Sequence, residues 1–384
     1  MSKNWLHAHW LYRVLVSVDA AGYARQDTPA EAGVNFTQLF AAWGERGVFS
    51  PESIRVAEID NAGVVIDDDV PAQFDRADDY SAAANAAGTL VFLLKGKTPA
   101  RVTRYFHVYF DTTDGFHDRP STPPQVSLAD GVEHEGQESY HVVTPGAVYY
   151  YHKFGAGFAS IEDPNGIDWI GYRPAGSADG RYRGLPNLVH PQGYFHPGRT
   201  GCTSEVAAQG PLKLTINSRS LDDQWVCTWA IYPHHARLSV HRADGPYWFC
   251  YAGTPGGAFD QASGFTVRAA GERAGLGESW EQDIPKPAWV YFGTAGSDRI
   301  FYLVRHVHDA PITSYWPMER SMTVFGFGRS VLEKHLQTVP GYFTIGFAEA
   351  GGFLDAARAI NAAFRPLRVQ VGRAEANAVA TETR

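Results

Sequence analysis

Apolar and polar positions alternate through the first stretch of the chain. In "WLYRVLVSVDAAGYARQDTPAEAGVNF", Tyr12, Val14, Val16 and Val18 recur at every second position before the chain turns through Gly22, the period of a half-buried strand. "SIRVAEID", "TLVFLLKG" and "RVTRYFHVYFD" predict three more strands, and "FTQLFAAWGERG" a short helix ending at Gly44 or Gly47. Such short strands with turn signals between them predict a jelly-roll-like β-sandwich over residues 1–112. Residues 113–139, rich in Pro and polar side chains, read as a linker or long loop. From Tyr140 the alternation returns in "AVYYYHK", "FASIED", "LKLTINSRS", "WVCTWAIYP", "ARLSVHRA", "YWFCYAG", "WVYFGTA", "RIFYLVRHVH", "MTVFGFG" and "YFTIGFAE". That many hairpin-spaced strands predict a large antiparallel β-sandwich or supersandwich over residues 140–370. It ends in one helix, "GGFLDAARAINAAFRPL", with Leu354, Ala357, Ile360, Ala363 and Phe364 on a shared face. Residues 371–384 read as a frayed tail. The fold class is mainly β.

Composition narrows what such a scaffold does. Aromatic residues make up 13% of the 384 residues, with 10 Trp and 19 Tyr. This excess suits pleated sheets and also suits stacking on sugar rings. The formal net charge is −8 and no basic run is long enough to follow a phosphate backbone, so nucleic acid is not an expected partner. Nine acids against Arg55 and Arg76 between Glu52 and Asp79 read as a solvated face, without the alternating oxygen spacing of a calcium loop. Three cysteines, Cys202, Cys227 and Cys250, form neither a disulfide framework nor a zinc ribbon. No signal-peptide pattern and no apolar run of membrane-spanning length occur. The expected compartment is therefore the cytoplasm, or the exterior for a chain trimmed of its leader, with no membrane partner. A homo-oligomer stays open.

The chemistry-bearing residues crowd between Tyr149 and Arg199. In "YYYHK", Tyr150 and His152 fall on one strand face, opposite Tyr149 and Tyr151. "RYRGLPNLVHPQGYFHPGR" is too rich in Pro and Gly for a strand and too aromatic for a free linker. It reads as a structured loop presenting Arg183, Asn187, His190, His196 and Arg199. A Tyr and a His on one face near arginines can eliminate across a uronate: Arg grips the carboxylate and His or Tyr moves the protons. Tyr150, His152, Arg183, His190 and His196 are the catalytic candidates; Asn187, Arg199, Trp248 and Tyr251 are the substrate-binding ones. "EDPNGIDW" reads as a hairpin turn built on Asn165-Gly166. "RHVHD" places His306 and His308 on one strand face, with His234, His235 and His241 as further ligands to a divalent metal, although no cofactor is required. No phosphate-binding glycine pattern and no GxSxG elbow are present.

A small N-terminal β-domain, a large antiparallel region and a Tyr/His/Arg-rich face, carried by "YYYHK", "YRGLPN" and "YFHPG", together resemble galactose-mutarotase-like supersandwich proteins. These are carbohydrate-active proteins that include several polysaccharide lyases. The resemblance covers Tyr140 to about Glu349 as architecture and lacks the helical toroid that precedes many such lyases. It implies a Tyr or His acid/base and an Arg or Asn at the carboxylate, with His152, Tyr150, Arg183, Asn187, His190 and His196 in those roles. The expected function is a lyase cleaving a uronate-containing oligo- or polysaccharide by β-elimination. The alternatives are a glycoside hydrolase using two of Asp163, Asp168 and Glu205, and a non-catalytic carbohydrate-binding sandwich.

Overall fold

The computed structural model describes residues 5–377, apart from 7–8, 45–46, 114–122, 176–179, 193, 308 and 310–311. The chain divides into two units: residues 1–124 with 208–212 and 365–384, and residues 125–207 with 213–364.

In the first unit, a five-stranded antiparallel sheet runs in the order Arg368–Ala376, Tyr12–Asp19, Thr103–Thr112, Phe49–Ile59, Val65–Val70. A three-stranded sheet runs Arg25–Asn35, Ala87–Thr98, Ala72–Arg76. The alternation read from the sequence is what builds the core: Val14, Val16, Val18, Leu90, Phe92, Leu94, Phe106, Val108 and Phe110 form one buried cluster. The short helix Phe36–Ala41 is capped by the Asn35 side chain, which accepts from the Gln38 N–H at 3.2 Å. It turns Phe36 and Phe40 into the same core.

The second unit holds two nine-stranded antiparallel sheets. The first runs Trp280–Gln282, Thr313–Met318, Met322–Phe327, Phe249–Gly253, Gly184–Asn187, Gly157–Glu162, Val148–His152, Gln137–Val143, Ser127–His134. The second runs Cys202–Gln209, Leu214–Ser220, Val226–Ile231, His235–Arg242, Gly341–Glu349, Arg299–Arg305, Ala288–Thr294, Gly264–Arg268, Arg273–Gly275. One buried cluster draws on both sheets, including Tyr149, Tyr151, Phe158, Trp229, Phe249, Tyr251, Phe292 and Phe301. The strands "AWVYFGT" and "RIFYLVR" are apolar almost throughout because both of their faces are covered. Val290, Phe292, Phe301 and Leu303 enter the core between the sheets. Trp289, Tyr291, Ile300, Tyr302 and Val304 pack with the helix Phe353–Phe364.

Four expectations are corrected. The segment read as a linker contains the hairpin Ser127–His134/Gln137–Val143. Its two turn residues, Glu135 and Gly136, both have positive φ, 50° and 76°, as a tight hairpin turn requires. The large unit therefore begins near Gln125, not Tyr140. Of the segment read as a tail, residues 371–376 belong to the strand Arg368–Ala376, paired with Tyr12–Asp19 from Asp19↔Arg368 to Tyr12↔Ala376, and residues 378–384 lie outside the described residues; the strand returns the chain to the first unit. The helix buries Ala356, Ile360 and Phe364, while Leu354 is 66% exposed, so the buried face is rotated from the one the spacing suggested. Among the described residues, no helix is long and apolar enough to cross a membrane.

A chain ending at Pro366 loses the strand whose Val369, Val371 and Ala374 pack on the first core. Side chains half-buried in this way sum to about 3 kcal/mol. The expected result is a first unit that melts several degrees earlier, read by differential scanning calorimetry. An unchanged thermogram would mean that the strand contributes nothing.

Candidate functional site

The outer face of the first nine-stranded sheet, turned away from the inter-sheet core, carries the candidate chemistry. Period-2 alternation sends Tyr149 and Tyr151 inward and leaves Tyr150 and His152 on the outer side. Register then sets their neighbours: Tyr150 stands between His141 and Ser160, and His152 between Ser139 and Gly157. His134 and His141 both stack on the Tyr150 ring, with centroids at 4.3 and 4.6 Å and planes within 21° and 22°. His134 Nδ1 lies 3.3 Å from His152 Nε2. Tyr172 meets the His152 ring edge-on at 5.1 Å.

The tautomers follow from these contacts. The Gly198 N–H donates to His152 Nδ1 at 2.9 Å, so in neutral His152 the proton sits on Nε2 and points at His134 Nδ1. His134 Nδ1 is thereby an acceptor, and its own proton sits on Nε2. His152 is fully buried, and burial first, then the neighbouring His134, pushes its pKa down to about 3. Burial lowers His134 as well. His152 thus has both ring nitrogens committed. It orients His134 and has no free lone pair for a substrate, which corrects its expected role as the proton-moving base.

A loop from Leu188 to Arg199 closes over this end of the sheet. Pro197 seats on two glycines: a Cβ on Gly157 would stand 2.7 Å from Pro197 Cδ, and one on Gly184 would overlap the same ring. Gly198, at φ 78°, leaves room for the Tyr172 hydroxyl, which any side chain there would strike. His196 is buried and its Nδ1–H donates to the Pro197 carbonyl at 2.7 Å. Burial pushes its pKa down to about 4. Its ring braces the loop from within rather than facing a substrate. Asn187, also buried, accepts the His190 N–H on Oδ1 at 3.2 Å and so positions the half-buried His190.

The two loop arginines divide sharply. Arg183 is buried, its guanidinium donating to the carbonyls of Gly171 at 2.9 Å and Ser321 at 3.1 Å. It ties loops together, which corrects its expected role at a carboxylate. Arg199 follows the Gly198 amide that holds His152, and is half-buried. Its charge lowers His190 and His196, and it moderates the upward push of burial on Tyr172. Arg199 shares this role with Arg181 at Tyr172 and with Lys334 and Arg329 at His190.

Two acids join the face. Glu162 and Asp168 face each other across an antiparallel bridge. Burial raises both, and the Asp168 charge raises Glu162 further. Asp168 accepts N–H bonds from Ile161, Ile170 and Gly171 at 3.1, 2.9 and 2.9 Å. Asp163 is a turn anchor, accepting from the Asn165 and Ile167 amides and from the Trp169 indole. Glu205 lies on an edge strand of the other sheet.

The remaining candidates fall elsewhere. Tyr251 is in the inter-sheet core, its hydroxyl donating to the Trp169 carbonyl at 2.5 Å, so it is no sugar platform. Trp248 is 2% exposed and is covered by Arg329 and Lys334, whose charges lie 5.7 and 4.8 Å from its ring; it too is closed to stacking. His306 pairs through Nε2 with Thr344 Oγ1 at 2.8 Å, and His308 lies outside the described residues. Among the described residues, no group of three or more His, Cys, Asp or Glu is arranged to hold a metal ion. Missed from the sequence were His134, His141, Glu162 and Tyr172. The signal for His134 was the Glu135-Gly136 turn, which makes the preceding run a strand.

No family model matches the chain, and no curated protein matches it. A solved structure described as "Crystal Structure Analysis of HI1317" is similar over 58% of this chain and 100% of that one, with 11% identity and a TM-score of 0.41.

The two buried imidazoles set a pH dependence. In the unfolded chain each takes up a proton near pH 6.5, whereas in the fold they do so only near about 3 and about 4. Between pH 6.5 and 4 the unfolded state therefore binds more protons, and stability falls as the pH falls. The contribution approaches about 1.4 kcal/mol per pH unit for each histidine. His152→Gln and His196→Gln should each flatten the urea-unfolding slope across that window. Variants with an unaltered slope would show that neither ring is neutral in the fold.

Proposed function

We propose that this chain is a carbohydrate-active enzyme, similar in design to galactose-mutarotase-like supersandwich lyases, that cleaves a uronate-containing glycan by β-elimination on the outer face of the first sheet. The observation that carries this reading is the His134–His152–Gly198 chain of hydrogen bonds, which leaves a neutral N–H donor on His134 beside the half-buried Tyr150, with Arg199 following Gly198 on the loop. Arg199 and the His134 Nε2–H hold the sugar carboxylate and stabilise the charge that moves onto it when the neighbouring C–H is broken. The Tyr150 oxygen, with its ring held between His134 and His141, takes that proton as general base. The C–H electron pair becomes the new C=C bond, the bond to the glycosidic oxygen breaks, and the Tyr150 phenol returns the proton to that oxygen. Tyr150 is left as it began, so one side chain serves as base and then acid.

Burial favours neutral imidazole over imidazolium at His134, as this scheme needs. A neutral donor stabilises developing charge without first forming a tight ion pair with the substrate carboxylate, leaving that task to Arg199. The bridge between Glu162 and Asp168 favours one alternative, hydrolysis by a carboxylate pair. Against it, Asp168 is held by three backbone N–H groups and has little freedom to act as nucleophile or base.

The test is incubation with uronate polysaccharides, followed by near-ultraviolet absorbance of the unsaturated product. Tyr150→Phe, which keeps the stacked ring, should cut turnover about 10²–10⁴-fold with an unchanged thermal melt. Arg199→Ala should act chiefly on binding and turnover together, and Arg183→Ala on stability. Reducing ends without absorbance, lost in Glu162→Gln and kept in Tyr150→Phe, would replace elimination with hydrolysis.

A further inference from the structure

The second unit carries a small projection that the proposed chemistry does not use. Arg329–Ser330 and Glu333–Lys334 form a hairpin outside both nine-stranded sheets, with Arg329 opposite Lys334 and Ser330 opposite Glu333. Its two turn residues, Val331 and Leu332, are 71% and 68% exposed. Val331 has φ 50°, a conformation that hairpin turns normally give to Gly, Asn or Asp and that a β-branched residue adopts only under strain. Two aliphatic side chains thus stand in water at a turn where a small polar pair would relax the backbone. The base of the hairpin is rigid. Tyr247 and Leu336 exchange two backbone hydrogen bonds of 2.9 Å, and the His335 N–H donates to the Gly328 carbonyl at 2.8 Å. Leu336 is buried beneath, where a Cβ on Gly328 would overlap its side chain. A surface held in this way loses little conformational entropy when a partner covers it.

The Tyr247–Leu336 bridge also separates charges. It is antiparallel, so the chain leads from Leu336 back to Lys334 on one side of it and from Tyr247 back to Asp244 on the other. Both charged residues line one cleft of about 580 Å³, together with Val189, Tyr194 and Pro246. Among the described residues none of Arg329, Lys334 and Asp244 has an ion pair. The Lys334 ammonium and the Arg329 guanidinium sit instead 4.8 and 5.7 Å from the Trp248 ring. Glu333 is turned toward His335, 3.8 Å away, and is no counter-ion for Lys334. Apolar side chains divide in the same way. Val331 and Leu332 belong to the Lys334 side, and Val339, 42% exposed, to the Asp244 side.

We propose that this surface is the interface of a symmetric dimer, in which two copies of the chain meet about a two-fold axis close to the Tyr247–Leu336 bridge. A two-fold rotation reverses the direction of the bridge, so the Lys334 side of each copy meets the Asp244 side of the other. Each Lys334 gains the carboxylate that its own chain does not bring to it, and symmetry makes that pair twice. Each Val331–Leu332 tip enters the other copy's cleft against Pro246 and Val339, which takes the aliphatic turn out of water. Charge selects this arrangement over a random encounter. The chain carries a net charge of −8, so two copies repel unless cations lie where they touch, and Arg329 and Lys334 lie there.

Sedimentation velocity of the full chain over a range of concentrations tests this. The expected result is a reversible equilibrium between monomer and dimer that stops at the dimer. Lys334→Asp and Asp244→Lys should each weaken it about tenfold or more, because each puts two like-charge contacts into the interface. Mixed in equal amounts, the two variants should associate as tightly as the original chain, since the heterodimer restores both ion pairs. Val331→Gly, which suits the turn, should weaken the dimer about tenfold or more and leave the thermal melt of the monomer unchanged or higher. That combination separates loss of contact from loss of fold. A chain that stays monomeric at every concentration overturns the interface. So does a dimer indifferent to Lys334, Asp244 and Val331, a pair of charge variants that does not recover on mixing, or growth beyond the dimer.

Discussion

The candidate site depends on one hydrogen bond, from the Gly198 amide to His152 Nδ1. A backbone amide can only donate, so the bond settles the tautomer of His152. His152 in turn settles that of His134, and the end result is a single N–H presented at the sheet surface. The same bond fastens the loop that delivers Arg199. Its geometry requires the loop backbone to approach the sheet very closely, which is why Gly157 and Gly184 lie beneath Pro197 and why position 198 itself has no side chain. Burial completes the device: with pKa values held down to about 3 and about 4, neither His152 nor His196 takes a proton near neutrality that would convert an acceptor into a donor and break the chain.

Much of the architecture was legible because period-2 alternation is a local signal that burial enforces. "YRVLVSVD" and "YYYHK" each announced which side chains share a face, and the structure places Tyr150 and His152 together on the outer side as that period requires. The largely apolar strands around Trp289 and Tyr302 were also readable as strands, but not why they have so few polar positions; that needed the helix Phe353–Phe364 on their second face. The hairpin at Ser127–His134 was lost to its composition. Its exposed acids and glycines resemble those of a linker, and an edge strand with one solvated face has few apolar residues to declare itself. His134 was lost with it. The strand Arg368–Ala376 failed for the same reason, since its alternation is of valines and alanines with charged residues at a chain end.

Roles within the site were less legible than membership. Nothing local distinguishes Arg183 from Arg199. What separates them is the pair of carbonyls from Gly171 and Ser321, the second 138 residues distant along the chain, which absorb one guanidinium and leave the other to act on its surroundings. Trp248 and Tyr251 likewise could not be told from sugar platforms by spacing, because whether a face is covered is decided by Arg329 and Lys334 far downstream. A cation over an aromatic ring excludes the sugar that would otherwise stack there.

This division of labour explains why the site's polar groups are so unequal. A histidine or arginine buried without compensation is costly, and bonds to backbone offset part of that cost: Arg183 donates to two carbonyls, His196 donates to Pro197 and His152 accepts from Gly198. Those bonds make the buried groups rigid and remove them from chemistry. The groups left to act are the half-buried ones that they hold in place: His134 behind His152, His190 behind Asn187, Arg199 behind Gly198. In the proposed scheme the chemistry therefore falls to the second member of each pair, and the first fixes its position. It follows that the residues easiest to notice in the sequence, those in the densest Tyr/His/Arg cluster, are mostly the supports. The half-buried side chains sit one hydrogen bond further out.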